Sequence, residues 1–279
     1  MGEFGECGIG VARAPRESIV MGVKAFFAFL VMSLTGAAAA EPVSSAVREE
    51  KSRAMPVTVY PNFIVRGTAL LEQFNGFARA DDALVVSYVD AFKVAARIAD
   101  AGVTRGQVWV YTAIDASLGQ TQRENLRGAG AIVFVPDRRR TKDAPRRIAE
   151  LLAEEARALG VPLVVGLERQ DAGSLAAVAD LARRGDVLLI DVTEWARGAG
   201  EKYRDKVNRF VRAAREENPK IRVELAFSAT GTAAERKQAV ACVTVNLDLA
   251  DRVGVFCDGS AEARGTLAEL IARLRPAGG

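Results

Sequence analysis

The chain has 279 residues, 49% of them hydrophobic and 26% charged, a composition that suits one substantial globular core. Its net charge of +3 and aromatic content of 6% argue against a nucleic-acid surface of basic stripes and stacked bases. No histidine is present, which excludes Ser-His-Asp and Cys-His nucleophiles and, with only three scattered cysteines, the usual zinc sites. Proton transfer then falls to Asp, Glu, Lys, Tyr or Cys, and no cofactor or metal is expected.

The first element is an amino-terminal leader. Lys24 supplies a positive charge, Ala25 to Leu34 an apolar run, and Ala38-Ala39-Ala40 a small-residue cleavage signal ahead of Glu41-Pro42. The run is shorter than the roughly 20 residues of a membrane span. Residues 1–40 therefore read as a leader and secretory signal, with Met21 as a plausible true start. The expected location is secreted or periplasmic, with no membrane span after processing. Such a compartment is oxidising, and Cys242 and Cys257 would remain as either a disulfide or two buried thiols. Residues 41–56 are polar and without period, a linker to the folded domain.

From residue 57 one pattern recurs: a short β-branched run, a polar turn, then a helical stripe. The runs are Val57–Ile64, Leu84–Val89, Gln107–Ile114, Ala131–Val135, Pro162–Leu167, Val187–Val192, Ile221–Ser228 and Arg252–Cys257. After the fourth, Ile148, Leu151, Leu152, Ala156 and Leu159 share one helix face, and Gly160 ends it. After the seventh, Thr232 and Glu235 have capping-box spacing. After the eighth, Leu267, Leu270, Ile271 and Leu274 repeat the stripe. The segment after the first run, Thr68 to Phe77, has room for only a short helix. Strands alternating with helices require parallel pairing. Eight units over residues 57–279 predict a (β/α)8 barrel of eight parallel strands. An open parallel α/β sheet is the alternative, but FIVRGTALLEQ after the first run carries no glycine-rich dinucleotide fingerprint.

Functional groups of a barrel gather at the carboxyl ends of its strands. Those ends carry Asp90, Asp115, Asp137, Glu168, Asp191 with Glu194 and Trp195, and Asp258. Asp115, Asp137 and Asp258 suit helix N-caps. Glu168 does not, because Glu caps poorly, and it shares a strand face with Pro162, Val164 and Gly166. Asp191 closes an apolar strand, VLLID. The indole of Trp195 beside it suits stacking on a sugar, or packing of the loop on its helix. Arg222 and Glu224 alternate with Val223, Leu225 and Phe227, which points the charged pair into the barrel toward Arg252, where charges need partners. The turns SATGT (228–232) and DGSAEARGT (258–266) could receive an anion at a helix start. The loop after the fourth run holds Arg138, Arg139, Arg140 and Lys142, a set able to grip carboxylates or phosphates.

Two carboxylates suffice for glycoside hydrolysis, and neither role needs histidine. The expected function is an exported carbohydrate-active hydrolase, with Glu168 as acid/base and Asp191 or Glu194 as the second carboxylate. Trp195, the basic loop, Asp90 and Asp258 would bind substrate. This resembles secreted sugar-cleaving barrels in fold alone. Those enzymes often place glutamates after strands four and seven, where this chain has Asp137 and a mid-strand Glu224. Two alternatives stay open: a non-catalytic exported binder of anionic glycans or cell-envelope polymer, and a divalent-cation-dependent barrel enzyme. The expected partner is a polysaccharide or other anionic small ligand.

Overall fold

All eight β-branched runs form strands: β1 Val57–Pro61, β2 Ala83–Ser87, β3 Val108–Tyr111, β4 Ala131–Phe134, β5 Leu163–Gly166, β6 Val187–Asp191, β7 Arg222–Ser228 and β8 Arg252–Cys257. These come from a computed structural model, which describes residues 55–61, 68–87, 98–100, 102–112, 118–135, 145–167, 175–193, 195 and 201–275. Each strand pairs in parallel with the next, and β8 returns to β1, with Val57 opposite Val253 and Cys257 opposite Pro61. The sheet is therefore a closed barrel, and the open-sheet alternative is excluded. The expected leader, residues 1–40, and the expected linker as far as Ala54 lie outside the described residues.

The helical stripes form α1 Thr68–Phe77, α2 Gln120–Leu126, α3 Pro145–Leu159, α4 Leu175–Ala182, α5 Glu201–Glu217, α6 Ala233–Thr244 and α7 Ala261–Leu274. Residues 98–100 are also helical, between β2 and β3. Their ends follow local chemistry. Gly160 stops α3 in the left-handed region at φ +70, where a Cβ would be strained. At α6, Thr232 Oγ1 accepts from Glu235 N, while Glu235 Oε2 accepts from Thr232 N at 2.8 Å. Among the described residues, no helix is long and apolar enough to cross a membrane.

Period-two alternation splits the core into two layers. Ile132, Val165, Leu188, Val223 and Val253 face outward, packed with Phe74, Leu152, Phe210 and Leu267 from the helices. Val85, Trp109, Val133, Val164, Leu189 and Ala226 face the barrel axis. Both layers are buried, and each large apolar side chain contributes about 1.5–3 kcal/mol by leaving water. Cys242 and Cys257 are buried free thiols, so the disulfide reading is set aside. Burial pushes both thiols up from their ordinary pKa, which keeps them protonated and inert.

The amino-terminal rim is tied by aspartates placed just before even-numbered strands. Asp82 precedes β2 and accepts from Val57 N at the start of β1 at 2.7 Å. Asp186 precedes β6 and accepts from Leu163 N of β5 at 2.8 Å, and Asp251 precedes β8 and accepts from Val223 N of β7 at 2.7 Å. Each carboxylate satisfies an N–H that the ladder leaves free at a strand start. The position before β4 is Gly130, where a Cβ would lie 1.9 Å from the Gly106 carbonyl oxygen, so no side chain fits. Asp82 also meets Arg275, just past α7, at 2.5 Å. Arg275 reaches the carbonyls of Phe77 and Met55 as well, tying the segment after α7 to the start of β1 and the end of α1.

Candidate functional site

The carboxyl-terminal mouth is defined by the last axis-facing position of each strand. Tyr111, Val135 and Phe256 pack on the inner layer there, half buried. Alternation carries Ser87, Gly166, Asp191 and Ser228 to the same wall. At Gly166 a Cβ would meet Val135 Cγ2 at 2.6 Å, so glycine there lets β4 and β5 share the upper wall. Among the described residues of this ring, Asp191 is the one charged group.

Asp191 is half buried and oriented by its own strand end. Its Oδ1 accepts from Thr193 N at 2.9 Å and from Thr193 Oγ1 at 2.5 Å. Thr193 Oγ1 in turn accepts from Ser228 N, on the neighbouring strand, at 2.9 Å. Ser228 Oγ pairs with Thr230 Oγ1 at 2.6 Å. The mouth beside β6 and β7 is thus one carboxylate backed by three hydroxyls. No periodicity marks this link, because it runs through a backbone amide 35 residues away.

The other residues singled out by sequence fall as follows. Trp195 is half buried. Its ring packs 5.0 Å from Phe210 and 6.4 Å from Tyr203, both on α5, with Lys206 Nζ 4.0 Å over its centroid. Burial pushes the Lys206 ammonium below its ordinary pKa, and neighbouring Arg209 adds to this. Asp258 accepts from Ser260 N at 3.0 Å and braces the N-cap of α7, where Ser260 Oγ accepts from Ala263 N. The Ser260 backbone N–H holds the Asp258 carboxyl below its ordinary pKa. At SATGT, the start of α6 is already served by Glu235's own carboxylate, so that helix end is not an open anion cradle. Asp90, Glu168, Glu194, Arg138, Arg139, Arg140 and Lys142 lie outside the described residues, as do Asp115 and Asp137. Among the described residues, no group of three or more Cys, Asp or Glu is placed to hold a metal ion.

Below the mouth, the barrel axis holds a second polar group. Glu224 and Arg252 are both buried, with Arg252 Nε 3.5 Å from Glu224 Oε2. Thr58 bridges them: its hydroxyl donates to Glu224 Oε2 at 3.0 Å and accepts from Arg252 Nε and Nη2 at 3.2 and 3.1 Å. The guanidinium stacks over Trp109 at 4.5 Å. Gly254 makes room, since a Cβ there would sit 2.5 Å from Glu224 Oε1. Arg222, at the start of β7, is exposed; its charge is felt by Arg252, but it adds no hydrogen bond to this group. Burial pushes the Glu224 carboxyl above its ordinary pKa, opposed by Arg252. It pushes the Tyr60 phenol higher still, with Glu224 adding to the rise. The Tyr60 phenol and the Glu224 carboxylate are therefore electrostatically coupled inside the barrel. Glu224 and Arg252 both sit at or below the middle of their strands, which places this group in the body of the barrel rather than at its mouth.

No family model matches the sequence, and no curated protein is significantly similar to it. Solved structures do match in fold. Active domain 2 of a thermostable chitinase from Pyrococcus furiosus superposes with a TM-score of 0.51 at 11% identity, over 80% of this chain and 98% of that one. A candidate 2-pyrone-4,6-dicarboxylic acid hydrolase from Pseudomonas putida gives 0.50 at 14% identity, over 80% and 90%. A Schiff-base-forming fructose-1,6-bisphosphate aldolase gives 0.47 at 17% identity, over 79% and 95%. These are barrel enzymes of differing chemistry, and at such identities what this chain shares with them is the (β/α)8 fold.

Proposed function

We propose that the protein is an exported barrel hydrolase acting on a polysaccharide, with a carboxylate pair at the carboxyl-terminal mouth. The observation that carries this reading is Asp191: the mouth's one described charge, on the axis-facing wall, with one oxygen held by Thr193. Glu168 is the proposed partner. It follows the inward-facing Gly166 by two residues, the spacing at which a strand returns to the same face. One carboxyl group protonates the glycosidic oxygen, and the other attacks the anomeric carbon or activates water. Glu194 is the alternative second carboxylate. The basic residues Arg138, Arg139, Arg140 and Lys142 would favour an anionic polymer. The leader over residues 1–40 carries the export part of the proposal.

The test is release of reducing ends from a panel of neutral and anionic polysaccharides. Asp191→Asn and Glu168→Gln should each lower turnover by roughly 10²–10⁴-fold, the range for loss of a positioned acid or base. Wild-type turnover that survives both substitutions would sink the assignment, as would a wild-type protein inert on the whole panel. A mature amino terminus at Glu41 in exported material would support the leader reading.

A further inference from the structure

Asp191 has two oxygens, and the structure treats them differently. Oδ1 receives two donors, the backbone N–H of Thr193 and its hydroxyl. Among the described residues, no donor reaches Oδ2. The direction of the hydroxyl bond is fixed by its other partner. Ser228 N–H can only donate, so Thr193 Oγ1 must accept there. Its single proton is then committed to Asp191 Oδ1. Thr193 is itself buried, with 8% of its surface exposed, and its neighbour Val192 is locked to Ala226 of β7 by a backbone bond at 2.8 Å. The chain Ser228 N–H, Thr193 O–H, Asp191 Oδ1 therefore ties the carboxylate to two strands of a closed barrel.

We propose that Thr193 is a positioning residue that pins Asp191 Oδ1 and thereby selects Oδ2 as the reacting oxygen. A carboxylate held at one oxygen loses rotation about its last bond. Two donors draw charge toward Oδ1, while Oδ2 receives no donor among the described residues. The inference rests on the carboxylate chemistry proposed above. It adds a residue that no substrate need touch, and it names the atom that does the work.

The test compares Thr193→Val with Thr193→Ser. Valine keeps the shape and removes the hydroxyl, and serine keeps the hydroxyl. In reducing-end assays, Thr193→Val should lower kcat by roughly 100-fold with little change in KM, the scale on which misplacing a reacting group is felt. Thr193→Ser should recover most of that loss. An equal melting temperature for Thr193→Val and wild type excludes misfolding as the cause. A Thr193→Val protein with wild-type kcat, while Asp191→Asn is inactive, would overturn the proposal. A second readout needs no turnover. A buried hydroxyl proton bonded to a carboxylate exchanges slowly and gives its own proton NMR signal. It should be present in wild type and Thr193→Ser, and absent in Thr193→Val and Asp191→Ala. If that signal is found but no polysaccharide is cleaved, the proposed function fails, and the choice of Oδ2 as reacting oxygen with it, while the pinning of Oδ1 by Thr193 stands. If the signal is missing from wild type, the positioning role fails whatever the activity.

Discussion

Glu224 and Arg252 meet inside a wall otherwise made largely of Val, Leu, Ala and aromatic side chains. Taking two charges out of water costs several kcal/mol each, so this pair lasts only because Thr58 and Trp109 complete its environment. Removing Arg252 alone should cost far more than removing both members. Arg252→Met leaves a buried carboxylate unmatched and should destabilise the barrel by about 3–5 kcal/mol, read from urea unfolding at neutral pH. Adding Glu224→Gln to that variant should restore part of the loss. The pair also sets a pH dependence of unusual sign. The folded-state pKa of Glu224 lies above its unfolded value, so the folded barrel holds that proton more tightly. Its contribution is fully present below the unfolded carboxylate pKa and is lost as pH rises through the folded one. Glu155, Glu217 and Asp248 have lowered values from exposed arginine partners and act in the opposite sense. Glu224→Gln should therefore match wild type in acid and gain on it as pH rises toward neutral. A wild-type advantage that grows with pH would show that Arg252 more than offsets the burial of Glu224.

The elements are held in register by contacts at the opposite end from the candidate site. The Asp186 side chain supplies the acceptor for the first N–H of β5. Asp186→Ala should cost about 1–3 kcal/mol, the penalty for a partly buried N–H without a partner. Asp82→Ala should cost more, because Asp82 serves Val57 N and Arg79 N and is the carboxylate partner of Arg275, whose side chain is only 6% exposed. Equal losses in the two variants would mean that the Arg275 clasp adds nothing. Both should leave the mouth intact, so any polysaccharide activity should persist at temperatures where the variants are folded. That separation fits the general division of a barrel into a stabilising amino-terminal rim and a functional carboxyl-terminal one.

At the scale of the whole molecule, the unit count was legible because each unit changes period from two to 3.6 within itself. Closure was inferred from that count of eight and from the missing dinucleotide fingerprint, and the pairing of β8 with β1 bears it out. Strand phase was legible only where a polar residue breaks an apolar run. Arg222 and Glu224 mark the inner face of β7, whereas LVVG in β5 is apolar on both faces, and its phase comes from Gly166 packing on Val135. The Thr193 link was hidden for a related reason, because a backbone donor leaves no trace in side-chain chemistry. Closure also predicts where the folding unit begins. Pro56 O accepts from Val253 N, and Met55 O accepts from Arg275, so among the described residues the contacts that seal the barrel start at residue 55. A chain beginning at Ala54 should unfold in one urea transition with stability within about 0.5 kcal/mol of the full chain. A chain beginning at Asn62 lacks β1 and leaves β2 and β8 as unpaired edges, which should aggregate rather than refold. A large loss of stability in the first truncation would show that residues before 54 belong to the barrel domain, and soluble cooperative folding in the second would show that closure through β1 is dispensable.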